Sequence, residues 1–212
     1  MMNLKQLKPF YPYAISLFTI LIFARLAREV IENETYKLDL IINAWAASLR
    51  SPFWTQVMKS VSDVGMIGGV FIIGFIFSNL LFHKKIRVLF GLLISSLGAE
   101  FFTYFLKLII ARDRPELISR LVVESGFSFP SGHATTAFIA FPILAITIYF
   151  SSTVPSFFKL LSILMLAIFP FVVAFSRLYL GVHYFTDVVA GAMIGLSATC
   201  VFYYFHSKYK DD

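Results

Sequence analysis

"VLFGLLISSLGAEFFTYFLKLIIARDRP", Val88 to Pro115, begins as an almost uninterrupted apolar run and ends in a cluster of cations. Crossing the hydrocarbon core of a bilayer takes about 20 mostly apolar residues as a helix, and Val88 to Leu106 meets that length. Lys107, Arg112 and Arg114 then arrive together, and Pro115 cannot continue a helix. The stretch therefore predicts a membrane span whose end presents positive charge at the lipid edge.

Five further runs have the same character: Phe10 to Ala27, Val64 to Phe82, Ala134 to Phe150, Phe157 to Phe175 and Val188 to Phe205. Of the 212 residues, 58% are hydrophobic and 25 are Phe, against about 45–50% apolar in soluble domains. The mean hydropathy is +0.80. Only 14% of residues are charged, too few to coat a soluble surface of this size. The expected fold is an all-α integral membrane six-helix bundle, a single domain over residues 1–212. Between the first two spans, Leu38 to Leu49 is too short to cross and reads as an amphipathic interfacial helix, with Trp45 and Trp54 at headgroup depth.

The basic N-terminus followed by an apolar stretch resembles a signal peptide. Arg25 and Arg28 stand where small residues would mark cleavage, so the stretch reads as a retained anchor. The net charge of +6 is modest and argues against a nucleic-acid partner, and the lone Cys200 cannot form an intrachain disulfide. Gly65 with Gly69, and Gly191 with Gly195, are spaced for close helix packing.

Six spans leave both termini on one side. The short loops on that side carry Lys5, Lys8, Lys84, Lys85, Arg87, Lys159, Lys208 and Lys210, while nearly all the acidic residues fall in the other, longer set. Lys and Arg density in short loops marks the cytoplasmic face, which places the termini inside and residues 107–115, 130–133 and 176–187 at the outer face.

Those three segments hold the chemistry. Lys107 and Arg114 are seven residues apart, about two turns and one face if the helix continues; cations at a helix end also snorkel for purely structural reasons. In "PSGH", Pro130 to His133, Ser131 is a candidate N-cap, Gly132 lets a ligand approach the backbone, and the helix end attracts anions. In "SRLYLGVHYFTD", Ser176 to Asp187, His183 and Asp187 are spaced to pair on a helix. A carboxylate on one ring nitrogen fixes the tautomer and frees the other to attack, although a simple ion pair at a helix start would share the spacing. Arg177 adds a fork suited to phosphate oxygens. Together, three cations, a helix N-terminus and two histidines on one membrane face read as a phosphoryl-transfer site, where positioned positive charge supplies most of the catalysis. No cluster of His and carboxylates suggests a metal, and no cofactor is called for. Glu100, within the span and one heptad before Lys107, is a candidate partner of this site, since intramembrane acids need one.

The three segments resemble the motifs KxxxxxxRP, PSGH and SRxxxxxHxxxD of the type-2 phosphatidic acid phosphatase superfamily, in order and in the expected places among six spans. Within it, "SFPSGH" and "LYLGVHY" look most like the short bacterial phosphatidylglycerophosphatase B group. The resemblance implies that His183 attacks phosphorus to form a phosphohistidine and that Asp187 orients it. It implies that His133 protonates the leaving oxygen and then helps activate water, with Lys107, Arg114, Ser131, Gly132 and Arg177 holding the phosphate. It also implies a lipid phosphate substrate: phosphatidylglycerol phosphate first, phosphatidic acid next, undecaprenyl pyrophosphate as the alternative. Phe185 stands where many members have proline. A lipid transporter or scramblase would instead show matching broken helices in two halves, which the sequence lacks. The related vanadium haloperoxidases are soluble, against six spans.

Overall fold

The computed structural model describes residues 11–116 and 119–209; Lys5, Lys8, Lys210 and the first residue of the Phe10 to Ala27 span lie outside them. The regular structure is helical: α1 (Tyr11–Ile31), α2 (Tyr36–Ser48), α3 (Pro52–Asp63), α4 (Gly69–Phe82), α5 (Ile86–Ile110), α6 (Gly132–Phe150), α7 (Ser156–Tyr179) and α8 (Phe185–Tyr209). A π-helical turn at Val64–Gly68 joins α3 to α4 without a break, so that Pro52–Phe82 is one helical stretch.

Five stretches among the described residues are long and apolar enough to cross a bilayer: Pro52–Phe82, Ile86–Ile110, Gly132–Phe150, Ser156–Tyr179 and Phe185–Tyr209. The protein is thus an all-α, multi-pass membrane protein, with backbone groups satisfied inside each helix, as hydrocarbon requires. Its periphery is apolar in keeping: Phe71, Phe75, Phe101, Tyr104, Phe157 and Phe171 are all exposed. α1 has 21 residues but is not among the five. The region between the first two expected spans folds as two helices, α2 and then α3, rather than one. α3 starts at a clear signal, Ser51 accepting from the Trp54 amide at 3.3 Å with Pro52 opening the helix.

α8 is the hub, packing on α1, α5 and α6, while α6 also packs on α7. Val88, Leu92, Ser95, Ala99 and Thr103 recur every three or four residues and give α5 its buried face. Ile76, Leu92, Ile139, Ile143, Ile194 and Phe202 meet in one core cluster, and Ser16 to Ser197 at 2.8 Å ties α1 to α8.

The glycine spacings do the packing work expected of them. A Cβ on Gly65 would lie 2.6 Å from Val173, and one on Gly195 would lie 2.6 Å from Phe138 Cβ and 2.8 Å from the Thr135 carbonyl. At Gly191 the obstruction is the Ser131 carbonyl oxygen at 2.4 Å. Backbone cannot rotate away, so Gly191 sets how closely the start of α6 sits on α8. Gly191→Ala should lower the melting temperature in detergent, with a cost of about 1–3 kcal/mol for overpacking. Gly98→Ala, where no atom lies within 4 Å of the added carbon, should leave it unchanged or slightly raised.

Candidate active site

The site forms where the 111–131 loop, the start of α6, the end of α7 and the 180–184 turn converge on the start of α8. Asp187, in the first turn of α8, is fully buried. Its Oδ2 accepts from Ser128 Oγ and from the Tyr184 amide at 2.8 Å, and lies 3.5 Å from His183 Nδ1. Its Oδ1 accepts from Arg112 Nη1 at 2.6 Å. The pairing of His183 with Asp187 is as the spacing suggests, but not for the helical reason: α8 begins at Phe185, and His183 reaches Asp187 from the preceding turn. Phe185 is the first helical residue, where proline would also be accommodated, and packs against a cluster that includes Ala46, Ala134 and Leu178.

On its other side His183 Nε2 lies 3.2 Å from Arg114 Nη1. Arginine has only donors, so Nε2 accepts and the ring proton is assigned to Nδ1, facing Asp187. Burial lowers the His183 pKa to about 4, against the opposing pull of Asp187. The ring is then neutral near pH 7, with its Nε2 lone pair turned toward the cations.

Lys107 and Arg114 do not share a helix face. α5 ends at Ile110 because Ala111 takes a left-handed conformation, φ 48 and ψ 36, and the chain turns back before Arg114. Both cations nevertheless grip the same loop. Lys107 Nζ donates to the carbonyls of Phe127 (2.7 Å) and Ser128 (3.3 Å). Arg114 donates to those of Gly126 (2.9 Å), Ser125 (3.0 Å) and Val182 (2.9 Å). Burial holds the Arg114 pKa below its usual value.

Arg177, near the end of α7, is almost wholly buried, donating to Ser62 Oγ and to Glu124 Oε1. Its Nε has no hydrogen-bond partner among the described residues. Glu124 also lies 3.9 Å from Arg114 Nη2. Burial works against its charge, but Arg177, His133 and Arg114 outweigh that and hold its pKa below the ordinary carboxylate value.

Ser131 caps α6 as expected, although its Oγ accepts from the Ala134 amide at a long 3.5 Å. Its own amide donates to the Asp187 carbonyl at 2.9 Å, which fixes the α6 N-terminus to α8. The position of a Cβ on Gly132 is open space, so the first amides of α6 are approachable from that side. His133, in the first turn, has Arg177, Glu124 and His183 among its electrostatic neighbours. The structure thus gathers Lys107, Arg114, Ser131, Gly132, His133, Arg177, His183 and Asp187 in one region. Glu100 Oε1 accepts from Thr136 Oγ1 at 2.5 Å, and Lys107 is among its electrostatic neighbours. Among the described residues no group of three or more His, Cys, Asp or Glu could hold a metal ion.

Sequence reasoning missed several residues that complete this geometry. Ser128 and Ser62 are uncharged and carry no distinctive spacing. Glu124 carries no spacing that ties it to the three polar segments. Arg112, with Asp113 and Glu116, reads from the sequence as forming ion pairs near the pocket or facing water, and it bridges Asp187 and Asp39, each at 2.6 Å.

A family model described as the PAP2 superfamily matches residues 86–211. Phosphatidylglycerophosphatase B of Bacillus subtilis is 31% identical over 186 residues, 86% of this chain and 89% of that protein. Lipid A 4'-phosphatase of Bacteroides thetaiotaomicron is 28% identical over 177 residues, 76% of this chain and 73% of that protein. Among solved structures, the transmembrane PAP2 type phosphatidylglycerolphosphate phosphatase from Bacillus subtilis superposes with a TM-score of 0.79 at 29% identity, covering 91% of this chain and 96% of that one.

The burial of His183 is open to direct measurement. A lowered pKa means that the folded protein resists protonation there, so the ring should stay neutral as the pH falls through the ordinary value of about 6.5 and take up its proton only near 4. Nitrogen NMR of histidine-labelled protein, with the signal assigned by its loss in His183→Gln, should show a neutral Nδ1–H tautomer from about pH 8 to about pH 5. Titration centred near 6.5 would contradict the geometry.

Proposed function

The chain belongs to the PAP2 superfamily, and from that premise we propose that it removes the terminal phosphate of phosphatidylglycerol phosphate or phosphatidic acid through a phosphohistidine on His183. The observation that carries this reading is the two-sided setting of His183, with Nδ1 on Asp187 and Nε2 on Arg114. The Nε2 lone pair attacks phosphorus as the bond to the lipid oxygen breaks, and His133 delivers the proton that oxygen needs. Asp187 stabilises the positive charge that grows on the His183 ring. Water then attacks the phosphohistidine, losing its proton to His133, the N–P bond breaks, and inorganic phosphate leaves. Arg114, Arg177, Lys107 and the α6 amides balance the charge on the phosphoryl oxygens throughout. These groups suffice without a metal, so activity should survive chelators.

The substrate enters sideways from the outer leaflet. A crevice of about 270 Å³, lined by Met66, Val70, Leu97, Glu100, Thr136 and Ile139, lies on the apolar flank of α6, one turn past the catalytic end, and would take an acyl chain. In this arrangement the chain forms one membrane-embedded unit with α1 as a sixth span, α2 at the interface, both termini cytoplasmic and the site outside. The Lys and Arg asymmetry of the loops supports that orientation.

Purified protein should release phosphate from phosphatidylglycerol phosphate and phosphatidic acid far faster than from glycerol phosphate; equal rates would remove the lateral-entry reading. Trapped phosphoenzyme should be acid-labile and absent from His183→Ala. His133→Ala should lose least on a substrate with a good leaving group, because protonation then matters less. In a Cys200→Ser background, an impermeant thiol reagent on intact cells should label Val123→Cys and spare Ser152→Cys; the reverse pattern inverts the topology.

A further inference from the structure

α2 carries a fully buried carboxylate, Asp39, although most of its other residues are exposed. Burying a carboxylate costs several kcal/mol before its partners repay it, and an apolar residue of similar size would often be no less stable there. Its contacts all lead to the nucleophile segment. Asp39 Oδ1 accepts from the Thr186 amide at 2.9 Å, and Oδ2 accepts from Thr186 Oγ1 at 2.8 Å and Arg112 Nη2 at 2.6 Å. The other arm of Arg112 donates to Thr186 Oγ1 at 2.8 Å and to Asp187 Oδ1 at 2.6 Å. The guanidinium lies over the Tyr184 ring, 4.2 Å from its centroid. One turn further along α2, Asn43 Nδ2 donates to the His183 carbonyl at 3.0 Å.

We propose that Asp39 and Asn43 are positioning residues: α2 acts as an external clamp that fixes the orientation of the His183–Asp187 pair through Arg112, Thr186 and the His183 backbone. The division of labour on Asp187 shows how. Arg112 occupies Oδ1, which leaves Oδ2 for Ser128, the Tyr184 amide and His183. An arginine held at one end only could swing about its stem, but Asp39 anchors the second arm, so the Asp187 carboxylate plane is set. Asn43 holds the peptide of His183 itself. Both residues lie before the segment that matches the family model, residues 86–211. None of these contacts reaches the side where phosphate would bind.

The inference rests on the phosphatase reading, and the test separates the two. kcat and KM for phosphatidic acid in mixed micelles, the yield of trapped phosphohistidine and the melting temperature are measured for wild type, Asp39→Asn, Arg112→Gln, the double variant and Asn43→Ala. Asp39→Asn keeps the size and an acceptor for Thr186 but loses the charge on Arg112. It should lose about 10²-fold in kcat, the scale expected of a small misplacement of reacting groups, with KM and melting temperature near wild type and less phosphoenzyme formed. Arg112→Gln should lose kcat alike but also melt lower, because it strips the cation from two buried carboxylates, and the double variant should lose no more kcat than the poorer single one, because both break one chain of contacts.

Asn43→Ala, which removes a single hydrogen bond, should lose up to about tenfold in kcat and keeps the test decisive if Asp39→Asn fails to fold. Wild-type kcat in folded Asp39→Asn or Asn43→Ala, or strictly additive losses in the double variant, would overturn the clamp and leave the phosphatase reading intact. Absence of phosphate release by wild type from every lipid phosphate would sink both.

Discussion

A carboxylate with no access to water holds this structure together at its working end. Asp187 must find a donor for each lone pair or lose its charge, because a buried, unpaired carboxylate is far costlier than a paired one. Its donors come from distinct parts of the chain: Ser128 from the loop before α6, Arg112 from the loop after α5, Tyr184 and His183 from the turn before α8. Its backbone carbonyl takes the Ser131 amide at 2.9 Å and so locks the start of α6. Satisfying this one side chain draws the 111–131 loop and the 180–184 turn into a single arrangement, in which His183 is oriented toward Arg114 while burial keeps its ring neutral.

The rest of the bundle supplies the rigid frame this arrangement needs. Helix packing in lipid gains little from the hydrophobic effect and depends on close backbone approach. Gly191 and Gly195 bring α8 against Ser131 and against Thr135 and Phe138 of α6, so a close helix contact lies directly beneath the N-terminal end of α6. Chemistry and packing therefore share residues, and disturbance of one is felt in the other.

Much of this was legible in the sequence because hydropathy and motif spacing report directly on span length and on charge at helix ends. The apolar runs of α4 to α8 and the three polar segments fall where the sequence puts them. What was not legible has physical reasons. Val64 to Phe82 reads as a whole span because hydropathy detects only the apolar part of a helix, and Pro52–Asp63, being more polar, extends it unseen. Helical continuity from Lys107 to Arg114 failed at Ala111, whose left-handed conformation no residue preference announces. Asp39 escaped notice, and the partners of Arg112 could not be named, because their contact joins residues 73 apart in sequence, and a single acid on a short helix gives no periodic signal.

The π-helical turn at Val64–Gly68 lies inside one continuous helical stretch, Pro52–Phe82. Each residue advances an α-helix by about 100°, and a π-turn accommodates one residue beyond that rhythm. Above it, Ser62 points inward to Arg177; below it, Gly69, Ile76 and Leu80 point inward to the core. Those positions follow one another at intervals of seven, seven and four residues, so they share one face to within about 40° on the ordinary helical rhythm, and the π-turn leaves that face continuous. One inward face of a single membrane-spanning helix therefore meets a polar centre at one end and an apolar core at the other.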